Sequence, residues 1–485
     1  MMCLAGVLGL GAAALGILGG AGDFGGLPIL PSLPPTFVAM GDSIFGIDPL
    51  SAFFLVPVFL MGGLGALYAT GYRPAQRHPR TSRRSGLFWG SLVAGLAILI
   101  IARNALAFLL GWEGMALSAF FLITLDDAAE ETRGAGFVYL VATHVGTLLL
   151  FCLFARWRQV TGSFDLLPAA KGLFDPQAAN LLFLLAFLAF GLKAGMMPLH
   201  FWLPGAHAAA PSHVSAMLSG VVLKMGIYGL MRFVLLLPDP PLLWGESIIA
   251  LGAVSSLLGV AFAIAQHDLK RLLAYHSVEN IGIILMGFGV ALVGQSLGRP
   301  GLTVLGMGAA LLHVWNHSVF KSLLFFAAGS VVERTGTRSI DRLGGLSRIM
   351  PWTAAFFLVG AVAISGLPPL NGFVSEFLVY VGAFRGSLEA GGGSVVPLVV
   401  IPVLAATGAL ALGCFVKVYG AIFLGAPRSR VRPSGGESAS SMLLPMAVLS
   451  GICVFIGALP LLASRILDPV LSFWCLSTGQ RFTVL

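Results

Sequence analysis

The stretch that decides the fold is Leu192–Arg232, LKAGMMPLHFWLPGAHAAAPSHVSAMLSGVVLKMGIYGLMR. Lys193 lies deep in an apolar run that Pro198 interrupts, and Lys224 lies in the middle of the next run. A lysine surrounded by hydrocarbon is costly and is therefore typical of a functional site. A proline inside a spanning helix frees backbone carbonyls, which are tolerated where they line a cavity instead of facing lipid. A buried charge beside a broken helix therefore predicts part of an ion path.

The composition of the whole chain is that of an integral membrane protein. Of its 485 residues, 57% are hydrophobic and only 10% are charged, and the mean hydropathy is +0.94. Apolar runs that can cross about 30 Å of hydrocarbon recur throughout, so we expect one membrane domain over residues 1–485. The net charge of +8 is carried mostly in loops, which indicates topology rather than a nucleic-acid partner. The five cysteines lack metal-ligand spacing and are interpreted as small apolar fillers.

The apolar runs predict an all-α fold with 13 to 14 transmembrane helices. The N-terminus, MMCLAGVLGLGAAALGILGG, lacks the basic start of a secretory signal and is predicted to be the first spanning helix. Residues 23–49 are then expected to form a loop or hairpin outside the cytoplasm. Further spans are predicted at 49–72, 86–103, 104–125, 135–156, 180–203, 212–234, 246–266, 271–297, 301–332, 351–384, 398–424 and 441–463.

Basic residues predict the orientation of these spans. The loop GYRPAQRHPRTSRR, residues 71–84, holds five arginines, and such a cluster beside a span indicates the cytoplasmic side. Alternation of the loops places the N-terminus in the cytoplasm and the C-terminus outside. Most loop lysines and arginines then share the side of the cluster, including Arg334, Arg338, Arg342, Arg348, Arg428, Arg430 and Arg432.

A second broken helix is predicted at AISGLPPLNGFVSEF, where Pro368 and Pro369 interrupt a long apolar run. Paired interrupted helices are the usual trace of internal repeats in transporters. We therefore predict two inverted repeats, each with one Pro/Gly break, over 86–235 and 246–425. Residues 1–85 would form the N-terminal helices with an external loop, and residues 426–485 the C-terminal helix and tail.

Charged residues inside the first half predict the start of an ion path. Glu113 is an isolated carboxylate in a spanning run, so it either takes up a proton or finds a cation. A structural ion pair with a lysine on a neighbouring helix would also explain Glu113. Unlike an arginine, Lys193 or Lys224 can release a proton when it is buried. His200 and His207 flank the first break, where loop packing explains them as well as a place on the path.

The second half holds a column of titratable residues. His313, His317 and Lys321 recur at i, i+4 and i+8, which puts all three on one face of a helix. Two histidines at this spacing can bind zinc, but a third ligand is missing from the pattern. A proton path through the middle of the membrane also explains the lysine, so we predict no metal.

Further charged residues continue the path toward the C-terminus. His276 and Glu279 either form a side branch or simply pair with each other. Glu376, just after the second break, is predicted to be the exit to bulk water, and Lys417 completes the set. The sequence has no phosphate loop, nucleophile motif or cysteine cluster, so no catalytic residue and no cofactor is predicted. The protein should move ions and not electrons.

These residues lie in long motifs that resemble one known family. The chain is similar to the antiporter-like membrane subunits of respiratory complex I, Mrp-type cation/proton antiporters and membrane-bound nickel-iron hydrogenases. The resemblance runs from Asp48 to the final span. The motifs that carry it are WEGMALSAFF, HFWLPGAHAAAPSHVSAMLSGVVLKMGIYGLMR, DLKRLLAYHSVENIGIILMGFG, HVWNHSVFKSLLFFAAGSVV and ISGLPPLNGFVSEF. Four motifs look most like the branch of hydrogenase-4 component B and formate hydrogenlyase subunit 3: SVENIGIILMGFG, GTRSIDRLGGLSRIMPWTA, LPPLNGFVSEF and FVKVYGAIFLGAPRS.

The resemblance implies a function and partners. Glu113 and Lys193 would form the coupling pair, Lys224 and the histidine–lysine column would relay protons, and Glu376 would end the path. The protein would move H⁺ or Na⁺ across the cytoplasmic (inner) cell membrane as the ion-pumping subunit of an oxidoreductase complex. Its partners would be other membrane subunits and a peripheral redox arm with nickel-iron hydrogenase-like and iron–sulfur subunits.

Two other functions are compatible with the sequence. One is a subunit of a secondary cation/proton antiporter, and the other is a membrane module for ion-coupled uptake of inorganic carbon. The sequence also departs from the family pattern in two respects. Members commonly have fourteen core helices, so a first helix is expected to be missing, and the long lateral helix of some relatives is not found after the last span.

Overall fold

Helices account for nearly all regular structure in the described part of the chain. The computed structural model describes residues 6, 9–11, 13, 45–74, 79–389, 396–428 and 436–479. In these ranges extended residues form only isolated bridges, so the all-α prediction is confirmed. The helices are α1 (Pro49–Tyr72), α2 (Pro79–Ile101), α3 (Ala105–Ile123), α4 (Glu130–Thr161), α5 (Pro176–Ala194), α6 (Leu203–Ala209), α7 (Ser212–Leu236), α8 (Leu242–Ile264), α9 (Leu269–Ser296), α10 (Pro300–Thr335), α11 (Pro351–Ile364), α12 (Asn371–Glu389), α13 (Val396–Ile422), α14 (Ser440–Ala458), α15 (Pro460–Ser464) and α16 (Asp468–Ser477).

The predicted spans agree with these helices. Ten described helices are long and apolar enough to cross a membrane. The other three predicted spans correspond to α10, to the pair α11 and α12, and to the N-terminal helix, most of which lies outside the described residues. Most of the predicted external loop at 23–49, together with Arg430 and Arg432, also lies outside them. Helices α15 and α16 follow the last predicted span and were not predicted.

Contacts between loops divide them into two sets, as the predicted alternation requires. On the side of the arginine cluster, Arg73 pairs with Asp126, and the Gly345 N–H donates to the Leu424 carbonyl at 2.9 Å. At the opposite ends, the Gly46 N–H donates to the Ile101 carbonyl at 2.8 Å. Further contacts within the second set are Asn104 with Asp165, Lys171 with Asp239, and Ser296 with Pro240. Which set faces the cytoplasm stays a prediction.

Both predicted helix breaks are present. Helix α5 ends at Ala194 and α6 begins at Leu203, with Pro198 between them. Helix α11 ends at Ile364 and α12 begins at Asn371, with Pro368 and Pro369 between them. The peptide bond before Pro198 and the one before Pro369 are both cis. The division into inverted repeats at 86–235 and 246–425 stays a prediction.

The helices that carry the predicted path form the centre of the bundle. Helices α7 and α9 are buried along their whole spanning length, whereas about two thirds of the spanning part of α2 and of α13 faces outward. A helix that is apolar on every side is suited to such a central position. Helix α7 approaches α5 so closely that a Cβ at Gly226 would overlap the Phe190 carbonyl. Small residues at helix crossings allow such contacts in membranes.

An ion-pair network fixes one end of this central core. Asp48 caps the start of α1 by accepting from the Ser51 N–H at 2.8 Å. Its carboxylate also accepts from Arg232 at 2.6 and 2.7 Å and from Arg103 at 2.9 Å. Burial raises the pKa of Asp48, but the two guanidinium groups oppose burial and hold this pKa well below its ordinary range. The network therefore ties α1 and the loop after α2 to the end of α7.

Candidate functional site

Lys193 lies at the last turn of α5, beside the first break. Its side chain is buried, and Nζ donates to the Tyr139 hydroxyl at 3.3 Å. Nζ also lies 5.5 Å from the ring of Trp112 and 5.3 Å from that of Tyr139, within the range of cation–π attraction. A cavity of ≈ 10 Å³ adjoins Lys193, which is room for about one water molecule. The site therefore stabilises an ammonium without a carboxylate in contact.

Glu113 lies on α3 and reaches the same neighbouring helix, α4. It accepts a hydrogen bond from the Thr147 hydroxyl and lies 4.0 Å from His144 Nε2. Its side chain is 27% exposed, and with Thr147 and His144 beside it the carboxylate is not the isolated group that the sequence suggests. Among the described residues, Glu113 and Lys193 form no direct ion pair. Lys193 contacts Tyr139 and Glu113 contacts Thr147, two turns further along α4. The two charged groups interact electrostatically over this distance.

Lys224 is completely buried in the middle of α7. The helix widens into a π turn at Leu218–Val222, just before this lysine. Nζ donates to the carbonyl of Ser219 within the turn, while Ser318 of α10 donates to the Gly220 carbonyl at 2.5 Å. Single π turns inside α-helices are frequent at functional sites. Here the turn supplies a backbone acceptor to an ammonium that forms no ion pair with any acid in the described ranges.

The predicted column on α10 is buried along its whole length. His313, His317 and Lys321 each have 0% exposure. Both ring nitrogens of His317 and Nζ of Lys321 lack hydrogen-bond partners among the described residues. Buried polar atoms are nearly always paired with protein or ordered water. We therefore expect water molecules to connect His317 and Lys321.

Neutral polar residues extend the column toward the second break. His313 Nε2 lies 3.1 Å from Oδ1 of Asn280 on α9, and Nδ1 lies 2.9 Å from the Ser375 hydroxyl on α12. Asn316 donates to the same hydroxyl at 2.9 Å and to the Asn371 carbonyl at 2.7 Å. The network therefore joins three helices around His313. Asn280, Ser375, Asn316 and Asn371 were missed in the sequence because they carry no charge.

Glu376 lies one residue beyond this network, on α12. Its side chain is 7% exposed, and its carboxylate lies against Gly366 in the break, where a Cβ would overlap it. Gly366 has φ +62°, a backbone conformation that glycine adopts without strain. The predicted exit residue is therefore buried beneath the break and not open to bulk water.

The two secondary candidates on α9 contact each other. His276 Nδ1 is hydrogen-bonded to Glu279 Oε2, and both side chains are almost completely buried. His276 Nε2 lies 3.4 Å from Cys414 Sγ on α13. The pairing of His276 with Glu279, one of the two alternatives that the sequence leaves open, is thus observed, with a thiol as an additional partner.

The remaining candidates lie outside the buried interior or at its edge. Lys417 is exposed and donates to the Ile264 carbonyl at the end of α8 at 3.1 Å, so the structure does not place it on the buried path. His200 is half-buried near the rings of Phe262 and Tyr275. His207 is fully buried and stacks on Phe325, with neither ring nitrogen paired among the described residues.

Six of the candidates are buried on helices α5, α7, α10 and α12, each of which packs against the next, and we call these six the buried line: Lys193, Lys224, His313, His317, Lys321 and Glu376. Tyr139 and His144 were not predicted as part of the site. Tyr139 lies four residues before Thr143, and His144 lies three residues before Thr147, so each pair shares one face of helix α4, and this polar face could have indicated both residues. The line holds several titratable groups, and among the described residues no three or more His, Cys, Asp or Glu side chains are grouped so that they could hold a metal ion. Such a line can move protons between neighbouring side chains and water.

Comparison with known proteins gives the family. Residues 102–400 match the model of the NADH:quinone oxidoreductase/Mrp antiporter transmembrane family. The chain belongs to this family. The matched range begins just before α3 and ends in α13, so it includes both breaks and every residue of the buried line.

Individual relatives agree with this assignment, and a solved structure has the same fold. The chain is 41% identical to hydrogenase-4 component B of Escherichia coli (strain K12), covering 89% of this chain and 64% of the relative. It is 37% identical to formate hydrogenlyase subunit 3 of the same strain, covering 87% of this chain and 69% of the relative. The chain thus spans about two thirds of the length of these relatives. A chain of the Mrp complex from Dietzia sp. DQ12-45-1b has the same fold, with a TM-score of 0.81, 20% identity and coverage of 99% and 94%.

Proposed function

We propose that this integral membrane protein is the proton-translocating subunit of a hydrogenase-like or complex I-like redox complex. The observation that carries the proposal is the buried line of titratable side chains through an apolar bundle. Ionisable residues inside a membrane are costly and usually belong to an ion or proton path. The line consists of Lys193, Lys224, His313, His317, Lys321 and Glu376.

Proton transfer would begin at the partly exposed carboxylate. A change of charge next to Glu113, caused by electron transfer in a partner, alters its electrostatic attraction for Lys193. A change on Lys193 then acts on Lys224, whose ammonium is hydrogen-bonded, within the described part of the chain, to a backbone carbonyl alone. The proton released at Lys224 passes through water to His317 and Lys321 and leaves by way of Glu376.

The surface around Glu113 supports contact with a second membrane subunit. Glu113 and His144 are partly exposed, and apolar side chains of α4 surround them on the outer face, including Phe137, Val141, Val145 and Leu148. A carboxylate facing lipid is unfavourable, whereas a neighbouring subunit could supply polar partners. We therefore propose that a redox-linked membrane subunit covers this face. We also propose the cytoplasmic (inner) cell membrane as the location.

The relatives support this choice of partners. Their names, hydrogenase-4 component B and formate hydrogenlyase subunit 3, describe parts of hydrogenase assemblies. The family also includes Mrp antiporter subunits, which keeps an ion-gradient-driven antiporter as the second candidate. The transported ion is H⁺ or Na⁺.

Purification from native membranes tests the partner. The protein is tagged, extracted in a mild detergent, and its co-purifying proteins are identified by mass spectrometry. We expect a nickel-iron hydrogenase-like large subunit together with iron–sulfur proteins. Recovery of only small antiporter-type membrane proteins would contradict the redox partner and would support the antiporter instead.

A further inference from the structure

Glu279 is a buried carboxylate that the proposed path leaves to one side. It is 1% exposed in the middle of the central helix α9, and its ion pair within the described residues is with His276. A histidine is a conditional partner because it carries a positive charge only when it is protonated. A carboxylate this deep in a membrane bundle therefore needs a reason beyond packing.

The hydrogen bonds of His276 allow two positions for one proton. Its Nδ1 contacts Glu279 Oε2, and its Nε2 lies 3.4 Å from Cys414 Sγ. When the proton is on the carboxyl group, Glu279 donates to the imidazole and both side chains are neutral. When the proton is on Nδ1, the imidazole donates to the carboxylate. The pair can therefore hold a proton without large movement of either side chain.

Glu279 lies near the last two titratable residues of the proposed path, Lys321 and Glu376. Asn280, the next residue on α9, lies 3.1 Å from His313 of α10, and His313 lies 2.9 Å from Ser375, the residue before Glu376 on α12. Across these packed helices, Lys321 attracts Glu279 and Glu376 repels it electrostatically. On α13, Cys414 is the nearby titratable group. On the α8 side, Gly259 packs so closely that a Cβ would lie 2.6 Å from the Glu279 backbone nitrogen. Glu279 is thus a buried acid that interacts with both Lys321 and Glu376.

We propose that Glu279, oriented by His276, takes the proton from Lys321 and passes it to Glu376. The inference rests on the proposed function. In the first step the Lys321 ammonium loses a proton and the Glu279 carboxylate gains it, leaving two neutral groups. In the second step the Glu279 carboxyl group releases the proton to the Glu376 carboxylate.

Electrostatics give the transfer a direction. Two neighbouring carboxylates in a dry interior strongly disfavour being ionised together, so one proton is retained between Glu279 and Glu376. A new proton that reaches Glu279 neutralises it and removes the repulsion that disfavours ionisation of Glu376, so the Glu376 carboxyl group then loses its own proton to the exit more easily. Water is needed between Lys321 and the acid, and the unpaired Nζ of Lys321 provides a site for it.

A structural role and a transfer role for Glu279 predict different results. Glu279→Gln has nearly the same shape and still forms a hydrogen bond with His276, but it does not exchange a proton. A purely structural pair is therefore largely preserved in this variant. Glu279→Asp restores the titratable group with a shorter reach. Glu130→Gln, at the exposed start of α4, is the matched control.

The measurement uses the complex purified with this chain and reconstituted in liposomes that contain a pH-sensitive dye. Reduced methyl viologen supplies electrons to the redox partner so that turnover drives proton flux, and valinomycin with potassium prevents a membrane potential from opposing it. We expect Glu279→Gln to lower the flux by about tenfold or more, since positioned acids and bases contribute at least that much to proton transfer. Glu279→Asp should recover part of the flux, and Glu130→Gln should match the wild type.

The Lys321→Ala variant separates this inference from the proposed function. Loss of flux in Lys321→Ala with a wild-type rate in Glu279→Gln would overturn the role of Glu279 alone. Wild-type flux in both variants would overturn the proposed path. If Glu279→Gln does not assemble, His276→Gln is measured instead, because it changes the orientation of the acid. Reduced flux then supports the inference, and an unchanged rate contradicts it.

Discussion

The ion-pair network around Asp48 leads to a prediction about folding stability that does not depend on the proposed function. Asp48→Asn removes the negative charge but retains an oxygen that can accept from the Ser51 N–H, so most of the helix cap is preserved. The change leaves the guanidinium groups of Arg232 and Arg103, whose side chains are only 8% and 14% exposed, without their counterion. Removing one partner of a buried pair costs about 3–5 kcal/mol. Because Arg103 is more exposed, most of this loss should come from Arg232.

The assay is equilibrium unfolding of the protein in detergent, with Asp48→Asn, Arg232→Gln and the double variant compared in one cycle. We expect the two single losses to be strongly non-additive because both variants break the same pair. The pH dependence has a definite sign. The lowered pKa of Asp48 makes its stabilisation complete above the unfolded value of about 3.9, and the stabilisation is lost progressively as the pH falls below that value. A destabilisation by Asp48→Asn of less than about 0.5 kcal/mol, which is typical of ordinary surface changes, would refute the reasoning.

Three further predictions concern the site. Lys193→Ala should abolish ion-coupled turnover because it removes the cation through which Glu113 acts. Assembly should be retained because the substitution leaves only a small cavity. Pumping at the wild-type rate in membrane vesicles would contradict the role of Lys193. Gly366→Ala should destabilise the second break by about 1–2 kcal/mol, since φ is positive there and the new methyl group overlaps the Glu376 carboxylate; unchanged thermal stability would argue against this packing. Lys417→Ala should keep nearly full proton flux because Lys417 is exposed, and a loss comparable to that of Lys321→Ala would return it to the path.

The sequence predicts the membrane fold well for physical reasons. Spanning helices require long apolar runs, which the sequence shows. Prolines such as Pro198 and Pro368 interrupt a helix, so the positions of both helix breaks are predicted from the sequence. The spacing of His313, His317 and Lys321 also fixes their common face, because helical periodicity is local. Charges in apolar runs are rare enough to be noticed one by one.

The features that were missed depend on contacts between distant helices. Asn280 and Ser375 are neutral, so nothing in their local sequence distinguishes them from packing residues. The contact of His276 with Cys414 joins α9 to α13 and is set by helix packing. The exposure of Glu113 and Lys417 depends on which helix face turns outward, and an apolar helix in a membrane gives little pattern from which to predict that face.

The most direct test of the proton path compares wild type, Lys321→Ala and Glu130→Gln in the purified, reconstituted complex. Proton movement is measured with the dye inside the liposomes, and equal amounts of assembled complex are confirmed for each variant. The proposed path predicts that Lys321→Ala loses the flux and that Glu130→Gln retains it. Equal flux in all three would contradict the proposal that protons pass through the buried line.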